Sequence, residues 1–430
     1  MRQLVYPSLI NGRLRAPASK SVAQRAIAIA SLTNGVSVVE YPGTCDDVVS
    51  AIRVCKELGA RIREENQSLI IEGGIKAPGQ PLSCGESGLG IRMFSGVAAT
   101  LSDEVVLTGT GSLLERPMHM IQSTLKAVGV YCNTNDGKLP LTVQGPVKGG
   151  QATIDGSQSS QALTGLLIAG PFADSDMVLE VRNLKSREYI DTTISVMESF
   201  GVQVKNHHYE CFIVPVGQVY TPATFRVEGD WSGAAFLLVA GAIAGQVTVS
   251  NLSKGSTQPD RNILEALKAA GAYVKQDDQT VETAKRSLKG FEFDATHCPD
   301  LFPPLAALAA NCEGTSTIHG VGRLRSKESD RAATIMDVFG KMGILVSIQN
   351  DTMTITGGPL KRASIQSHGD HRIAMAGTIA ALNADGPVLI EEAEAINKSY
   401  PEFFRDMETI SKPKNEPTPP PDQAPLYRGC

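Results

Sequence analysis

The chain has 430 residues, of which 42% are hydrophobic and 20% are charged, and this composition is typical of a soluble globular protein with two or three domains. Its formal net charge of −5 provides no global basic field that would recruit nucleic acid. No apolar run reaches the roughly 18 residues that a membrane span requires, and the N-terminal residues lack the apolar core of a secretory signal. We therefore expect a cytoplasmic protein whose partners include neither membranes nor nucleic acids.

Five glycines recur along the chain at spacings of 70, 72, 70 and 72 residues. They are Gly59, Gly129, Gly201, Gly271 and Gly343. Each glycine follows a stretch with apolar residues at helical spacing and precedes a short alternating strand. Glycine suits the left-handed position just beyond a helix, where a side chain would be strained. The pattern therefore predicts a repeated helix–glycine–strand element.

An Ala-rich, densely apolar segment precedes each of these elements and predicts a second helix in every repeat. These helices are predicted at 20–33, 88–101, 159–170, 232–244, 301–312 and 371–383. Short strands surround them, so that one unit reads β-α-β-α-β-β. The sixth unit is truncated, because its second helix (400–410) leads directly into the C-terminal tail.

Six units divide most simply into three and three, which predicts an α/β protein with two similar domains. The midpoint lies near residues 224–229, and the N-terminal strand is expected to pair with the second half of the chain. The predicted domains are residues 14–228, and residues 1–13 together with 229–411. Residues 412–430 are rich in proline and lack periodicity, which predicts a flexible tail.

Basic residues lie at or near many predicted helix starts, where the helix dipole already produces a positive potential. The set comprises Lys20, Arg25, Arg116, Arg331, Arg372 and Lys398. If the units share an orientation, these starts converge and line a cleft between the domains with backbone N–H groups and cations. Such a cleft would bind phosphates and carboxylates. Asp300 and Glu328 lie among these cations, and acid and base groups in a closed anionic pocket suit proton transfer.

Five segments, in order along the chain, resemble signature segments of the 5-enolpyruvylshikimate-3-phosphate synthase family of enolpyruvyl transferases. They are 19–25 (SKSVAQR), 114–117 (LERP), 155–161 (DGSQSSQ), 327–331 (KESDR) and 370–372 (DHR). The resemblance extends over residues 13–405. It implies two domains of three β-α-β-α-β-β units each, arranged as inside-out α/β barrels, with the active site in the interdomain cleft.

The resemblance also implies a reaction of the shikimate pathway, which leads through chorismate to the aromatic amino acids. The enolpyruvyl group of phosphoenolpyruvate would pass to the 5-hydroxyl of shikimate 3-phosphate, with release of phosphate, through a tetrahedral intermediate. The family uses neither a metal nor an organic cofactor. A two-domain clamp of this kind needs no second chain, so we expect a monomer.

Site residues follow from the same resemblance, position by position. Those implied for shikimate 3-phosphate are Lys20, Ser21, Arg25, Ser159, Ser160, Gln161, Ser186, Tyr189, Asp300, Arg323 and Lys327. Those implied for phosphoenolpyruvate are Lys20, Gly88, Arg92, Arg116, Gln161, Arg331, Arg372 and Lys398. The implied catalytic residues are Lys20, Asp300 as the candidate base for the 5-hydroxyl, and Glu328 as the candidate acid for the methylene carbon.

Two residues depart from the pattern of the family. Glu86 stands where asparagine is usual, and Arg323 stands where asparagine or an acid is common. A carboxylate at residue 86 would face the phosphoenolpyruvate pocket, so we expect it to weaken binding of phosphoenolpyruvate and of the family inhibitor glyphosate. An ion pair between the two residues across the closed cleft would offset that effect.

Two alternatives stay open from the residues alone. Enolpyruvyl transfer to UDP-N-acetylglucosamine uses the same fold, but that branch carries a cysteine proton donor in a flexible loop of the first domain. Here Cys84 lies just before the comparable helix start, and the 111–118 loop has no cysteine. A non-catalytic anion-binding homologue is the other alternative, and the retained Asp300 and Glu328 argue against it.

Overall fold

The computed structural model describes residues 1–157, 159–325 and 327–414. In these residues there are twelve α-helices: α1 (Lys20–Leu32), α2 (Asp46–Glu57), α3 (Gly88–Ala98), α4 (His119–Ala127), α5 (Gln161–Ala169), α6 (Glu188–Ser199), α7 (Trp231–Ala244), α8 (Ile263–Ala269), α9 (Phe302–Ala310), α10 (Arg331–Lys341), α11 (His371–Ala381) and α12 (Phe403–Ile410). Short 3₁₀ helices precede several of them, at Gly111–Glu115, Pro259–Asn262, Pro299–Leu301, Val321–Arg323 and Ala393–Lys398 among others.

The same residues form twenty-four strands: β1 (Arg2–Val5), β2 (Ser8–Arg15), β3 (Val36–Glu40), β4 (Arg61–Glu65), β5 (Ser68–Glu72), β6 (Leu82–Ser83), β7 (Glu104–Thr108), β8 (Tyr131–Asn135), β9 (Lys138–Gln144), β10 (Gly150–Asp155), β11 (Met177–Arg182), β12 (Lys205–His207), β13 (Cys211–Val214), β14 (Thr224–Arg226), β15 (Gly245–Ser250), β16 (Tyr273–Gln276), β17 (Thr280–Ala284), β18 (Glu292–Asp294), β19 (Thr315–His319), β20 (Leu345–Gln349), β21 (Thr352–Thr356), β22 (Ser364–Gln366), β23 (Val388–Glu391) and β24 (Ser411–Pro413).

One sheet per unit repeats along the chain, and this confirms the predicted β-α-β-α-β-β pattern. In the second unit the sheet order is β6-β7-β9-β8, with β6 parallel to β7 and the remaining pairs antiparallel. The third and fifth units repeat this order as β10-β11-β13-β12 and β18-β19-β21-β20. The sixth unit is truncated as expected, and β1 pairs with β23 in its three-stranded sheet.

The chain crosses twice between the two halves of the molecule. At each crossover, the last strand before a helix pairs in the sheet of one half, whereas the helix itself belongs to the other half. Strand β2 leads directly into α1, yet it lies parallel to β15, which follows α7. Strand β14 leads directly into α7, yet it lies parallel to β3, which follows α1. Ala18 and Gly229 form a bridge where the two crossing segments meet. The first and fourth units are therefore completed by exchanged strands.

The helices lie inside and the sheets outside. Every residue of α3, α7, α9 and α11 is buried, as expected for helices that are apolar on all sides. The buried side chains form two cores: one from residues 22–227, and the other from Ile10, Ala16 and residues 231–410. In the described part of the chain the strands of each of the six sheets follow one linear order. The chain thus has a two-domain α/β fold with helical centres.

The end of the second domain differs from the sequence prediction. Residues 411–413 form β24, which pairs with β2 and adds a fifth strand to the sheet of the fourth unit. The predicted start of the tail at residue 412 is therefore too early, and residues 415–430 lie outside the described residues. None of the helices between residues 1 and 414 that the structure describes is long and apolar enough to cross a membrane.

The five repeated glycines all have positive φ angles, from +77° at Gly129 to +106° at Gly59, which confirms the left-handed conformation predicted for them. At each one the backbone N–H of the following residue donates to a carbonyl five residues earlier, for example from Ile344 to Phe339 at 2.9 Å. This is the Schellman arrangement, and it satisfies carbonyls that the helix end leaves without partners. The glycines thus set the point at which five helices turn into strands.

Gly343→Ala is expected to lower the free energy of unfolding by about 1–2 kcal/mol, because alanine is strained in the left-handed region. A methyl group there would meet only the flexible side chain of Lys361, at 3.1 Å, so the cost is one of backbone conformation. Gly340 lies in helix α10 with open space around it, and Gly340→Ala should stabilise the protein by about 0.5–1 kcal/mol. Urea unfolding of both variants checks the pair, and equal effects would contradict this explanation.

Candidate active site

A cavity of about 410 Å³ lies between the two domains at the helix starts. Sixteen of the eighteen residues implied for the site line it: Lys20, Ser21, Arg25, Gly88, Arg92, Arg116, Ser159, Ser160, Gln161, Ser186, Tyr189, Asp300, Arg323, Lys327, Glu328 and Arg372. The starts of α1, α3, α5 and α6 provide the wall from the first domain. The second domain contributes the starts of α9 and α11 and the segment before α10. Arg331 and Lys398 are buried nearby and do not line the cavity.

On the first wall, Lys20 and Arg25 project from the first two turns of α1. The Lys20 ammonium lies 3.0 Å from a carboxylate oxygen of Asp47, and this pairing raises the lysine pKa even though burial opposes the charge. Arg25 donates from Nε to the Thr193 hydroxyl at 2.9 Å and from Nη1 to the Ser21 carbonyl at 2.8 Å. Burial lowers the pKa of Arg25 to about 10. Both cations are therefore held by the protein itself.

Two arginines lie side by side over Gly88 at the start of α3. Arg92 donates from Nη1 to the Gly88 carbonyl at 2.8 Å and to Oε1 of Gln161 at 3.0 Å. A Cβ at residue 88 would lie 2.4 Å from Nη1 of Arg116 and 2.9 Å from Nη1 of Arg92, so any side chain there would force the two guanidinium groups to move. Buried N–H groups without a hydrogen-bond partner among the described residues remain on both arginines. Such groups favour an anion in the cavity.

The second wall is organised around Arg331, whose side chain is fully buried. Its Nε donates to Asp370 at 2.7 Å, its Nη1 donates to Asp300 at 2.7 Å, and its Nη2 donates to Glu328. Asp370 also caps helix α11 by accepting from the backbone N–H of Arg372 at 3.0 Å. All the arginine's hydrogen-bonding nitrogens therefore serve carboxylates of the protein. The structure places Arg331 behind the cavity, where it orients Asp300 and Glu328.

Both candidate acid–base carboxyls have lowered pKa values. Burial opposes the charge of Asp300, but Arg372 at 3.1 Å, Lys327 at 3.1 Å and Arg331 hold its pKa well below the usual range. Burial likewise opposes the charge of Glu328, and Arg331 is the largest of the influences that hold its pKa well below the usual range. In this structure both groups are therefore ionised at neutral pH. Asp300 is therefore in the ionised form that a base requires, although its low pKa makes it a weak one, whereas Glu328 must first gain a proton before it can donate.

Glu86 does not pair with Arg323, so the compensating ion pair expected from the sequence is wrong. Its carboxylate accepts from the backbone N–H and the hydroxyl of Ser112, at 3.3 and 3.1 Å, and lies 3.4 Å from Nζ of Lys398. A Cβ at Gly111 would lie 2.2 Å from Glu86, so the neighbouring turn is shaped around the carboxylate. Arg323 instead faces the cavity with Nη1 buried and without a partner among the described residues.

Asp47, Asp260 and Asp370 lie at helix starts, where an aspartate has the sequence pattern of an ordinary capping residue. In the structure Asp47 pairs with Lys20, Asp370 holds Arg331, and Asp260 accepts a hydrogen bond from Tyr189 at 3.0 Å. Their helix-start positions were visible in the sequence, but a capping acid and an acid that holds a site residue have the same local pattern. Only the three-dimensional arrangement distinguishes the two roles.

Solved structures share this architecture. EPSP synthase from Acinetobacter baumannii matches with a TM-score of 0.81 at 28% sequence identity, covering 96% of this chain and 98% of that chain. The enolpyruvyl transferase NikO from Streptomyces tendae matches with a TM-score of 0.77 and the same coverages, and at 15% identity it shows the fold alone. The fold is therefore that of the two-domain enolpyruvyl transferases.

Sequence comparison narrows this class. The model of the family described as EPSP synthase (3-phosphoshikimate 1-carboxyvinyltransferase) matches residues 5–407. A 3-phosphoshikimate 1-carboxyvinyltransferase from Methanocorpusculum labreanum is 37% identical over 97% of this chain and 100% of its own length. One from Thermococcus kodakarensis is 38% identical over 93% and 98%. The chain belongs to the EPSP synthase family, and it is a transferase.

The acids of the cleft should respond to pH in opposite ways. Asp300 has a lowered pKa, so it contributes stability above about pH 4 that is lost as the pH falls, and the stability deficit of Asp300→Asn should shrink in acid. Burial and the nearby Asp300 raise the pKa of Asp260 to about 6. Ionisation of Asp260 lowers the free energy of unfolding as the pH rises from about 4 to 6. The free energy of unfolding of Asp260→Asn, relative to that of the wild type, should therefore fall as the pH is lowered over this range. Urea unfolding between pH 3 and 7 checks both, and parallel trends would contradict these assignments.

Proposed function

We propose that this chain transfers the enolpyruvyl group of phosphoenolpyruvate to the 5-hydroxyl of shikimate 3-phosphate and releases phosphate. The observation that carries the proposal is the cavity itself, in which four arginines keep buried N–H groups that have no hydrogen-bond partner among the described residues, beside two ionised carboxylates. Those arginines are Arg92, Arg116, Arg323 and Arg372. Two polyanionic substrates need such cations, and proton transfer between them needs the carboxylates. Membership of the EPSP synthase family supports the same reaction.

The cavity offers two chemically different ends. Arg92 and Arg116 lie over Gly88, and we assign this end to the phosphate and carboxylate of phosphoenolpyruvate. The hydroxyls of Ser159, Ser160 and Ser186 line the cavity together with Lys327, and we assign this group to the 3-phosphate of the acceptor. Hydroxyl donors beside one ammonium suit a single phosphate group, whereas paired guanidinium groups suit a small substrate whose phosphate and carboxylate lie close together.

The proposed reaction proceeds by addition and elimination. Asp300 takes the proton of the 5-hydroxyl while the hydroxyl oxygen bonds to C2 of phosphoenolpyruvate. Glu328 donates a proton to C3, which becomes a methyl group. In the second step the bond between C2 and the phosphate oxygen breaks and the methyl group returns one proton to Glu328, which restores the methylene. Phosphate leaves with the proton that Asp300 had taken. Lys20 lies at the same cavity and would neutralise negative charge that develops there.

Substrate binding would itself prepare Glu328. Arg331 and Arg116 hold the pKa of this carboxyl down, and Arg116 Nη2 lies 3.6 Å from it, too far for a hydrogen bond. When the anionic groups of phosphoenolpyruvate pair with Arg116, that guanidinium would stabilise the carboxylate less, and the pKa of Glu328 would rise. The acid would therefore become competent only when its substrate is present.

Cys84 does not support the UDP-N-acetylglucosamine branch. It is 1% exposed and does not line the cavity, and burial raises the pKa of its thiol. We further propose that a single chain acts alone, because one chain provides both walls of the cleft. The seven cysteines in the described residues are free thiols, which favours a cytoplasmic location.

The acceptor is tested by phosphate release from phosphoenolpyruvate with shikimate 3-phosphate or with UDP-N-acetylglucosamine. We expect turnover with shikimate 3-phosphate alone, since the serine cluster beside Lys327 suits its phosphate. Turnover with UDP-N-acetylglucosamine, or with neither acceptor in a folded protein, would contradict the proposed function. Thermal melting of the same preparation establishes that the protein is folded.

Glu86→Gln should tighten binding of phosphoenolpyruvate by about fivefold, or roughly 1 kcal/mol, because it removes a negative charge beside the cavity that now neutralises the nearby ammonium of Lys398. Binding of glyphosate should change in the same direction. The control is Glu115→Gln at the end of the neighbouring 3₁₀ helix, Gly111–Glu115, where an exposed glutamate pairs with Lys138 and no effect is expected. Isothermal titration calorimetry measures both affinities, and unchanged values for Glu86→Gln would show that its carboxylate does not oppose the substrate.

A further inference from the structure

Asp260 is a buried carboxyl that bonds to both domains at the acceptor end of the cleft. One of its oxygens, Oδ2, accepts from the Tyr189 hydroxyl of the first domain at 3.0 Å and from the Ser232 hydroxyl of the second domain. The residue is 1% exposed, and its other oxygen is buried without a partner among the described residues. Tyr189 and Ser232 line the cavity, whereas Asp260 does not. A single oxygen thus joins two cavity-lining hydroxyls from opposite walls.

The segment that carries Asp260 also holds the place where the chain crosses between the domains. Gln258 accepts from the Ser19 hydroxyl at 3.1 Å and donates to the Gly229 carbonyl at 2.8 Å, so it contacts both crossing segments. The carbonyl of Thr257 accepts from the hydroxyl of Thr192, one turn beyond Tyr189, at 3.3 Å. The position of Asp260 relative to the first domain is therefore fixed by several independent hydrogen bonds.

Tyr189 is in turn connected to the cations of the acceptor end. Its backbone carbonyl accepts from the Thr193 hydroxyl at 3.0 Å, and that hydroxyl accepts from Nε of Arg25 at 2.9 Å. The ring is anchored at its base by α6 and at its tip by Asp260. Without the tip contact, the side-chain torsions of the tyrosine would lose the hydrogen bond that fixes its ring against the opposite domain.

Retaining a carboxyl at this position is unfavourable for the fold alone. Burial and the neighbouring carboxylate of Asp300 oppose its charge, and they raise its pKa to about 6. An unpartnered buried oxygen adds a further cost. A role in the cleft therefore explains the presence of Asp260 better than a contribution to the stability of the fold does.

We propose that Asp260 is a positioning residue for the acceptor substrate, which acts by fixing the ring of Tyr189 across the interdomain cleft. This inference rests on the proposed function, because it assigns Tyr189 to the wall that receives shikimate 3-phosphate. The carboxyl does not itself touch the substrate. Replacing Asp260 should therefore weaken binding of the acceptor, and it should do so only through the loss of the hydrogen bond to the tyrosine hydroxyl.

The test is a double-mutant cycle on the full chain, with the dissociation constant of shikimate 3-phosphate measured by calorimetry. Asp260→Ala and Tyr189→Phe each remove the same hydrogen bond, from opposite domains, and each should weaken binding about tenfold. The double variant should be no weaker than either single variant, because one interaction has been lost. Asp260→Asn keeps an acceptor oxygen and should restore binding to within about threefold of the wild type.

Two further measurements separate this role from general destabilisation. Tyr209→Phe removes another tyrosine–aspartate hydrogen bond of helix α6, to Asp191 at 2.6 Å, between residues that do not line the cavity, and should leave the affinity within about twofold of the wild type. KM for phosphoenolpyruvate should change less than KM for shikimate 3-phosphate in Asp260→Ala, whereas a loosened cleft would raise both equally. Thermal melting identifies any variant that does not fold.

The outcomes distinguish this inference from the proposed function. If wild-type protein binds shikimate 3-phosphate and the effects of Asp260→Ala and Tyr189→Phe are multiplicative, the connection through the tyrosine is refuted. Unchanged binding in Asp260→Ala would refute it equally, and both results leave the proposed reaction intact. Failure of the wild-type protein to bind shikimate 3-phosphate would overturn the proposed function, and this inference with it.

Discussion

The cleft depends on one guanidinium group shared among three carboxylates. Arg331 is fully buried and serves Asp300, Glu328 and Asp370. Buried charges are tolerated when they are paired and hydrogen-bonded, so the arginine allows two acids to remain ionised in the same wall. Asp370 links Arg331 to the start of α11, because it also accepts from the backbone N–H of Arg372. The carboxylates that Arg331 holds are therefore positioned by a helix. The chemistry proposed for the cavity would be impossible if these charges were not balanced internally.

Much of the fold could be predicted because the repeated glycines occupy a backbone conformation that other residues rarely adopt. A glycine with positive φ after a helix is constrained by sterics alone, and five of them at nearly equal spacing establish the unit without any tertiary information. Helices that are apolar on nearly all sides likewise indicate that they are buried. The exchange of β2 and β14 was only partly visible, because a strand pattern shows that a segment pairs but not with which neighbour.

The candidate site was less predictable in its details than in its location. Charge at helix starts indicated the cleft, yet the sequence gives no information on which way a long cationic side chain turns. Arg331 turns inward to carboxylates, and Lys398 turns to Glu86. Asp260 has the local pattern of an ordinary helix-start acid, and its contact to Tyr189 spans 71 residues of sequence. Such partnerships follow from domain docking, which local patterns do not encode.

The exchanged strands bear on how the chain is made. Strand β2 finds its partner only at residues 245–250, and β1 pairs with residues 388–391. During synthesis the first fifteen residues therefore emerge long before any of these partners exist. Contacts of such long sequence separation are costly to close and tend to form late. The N-terminal segment is therefore expected to complete the second domain late in folding, because the edges of β1 and β2 stay unpaired until residues 388–391 and 245–250 have been made.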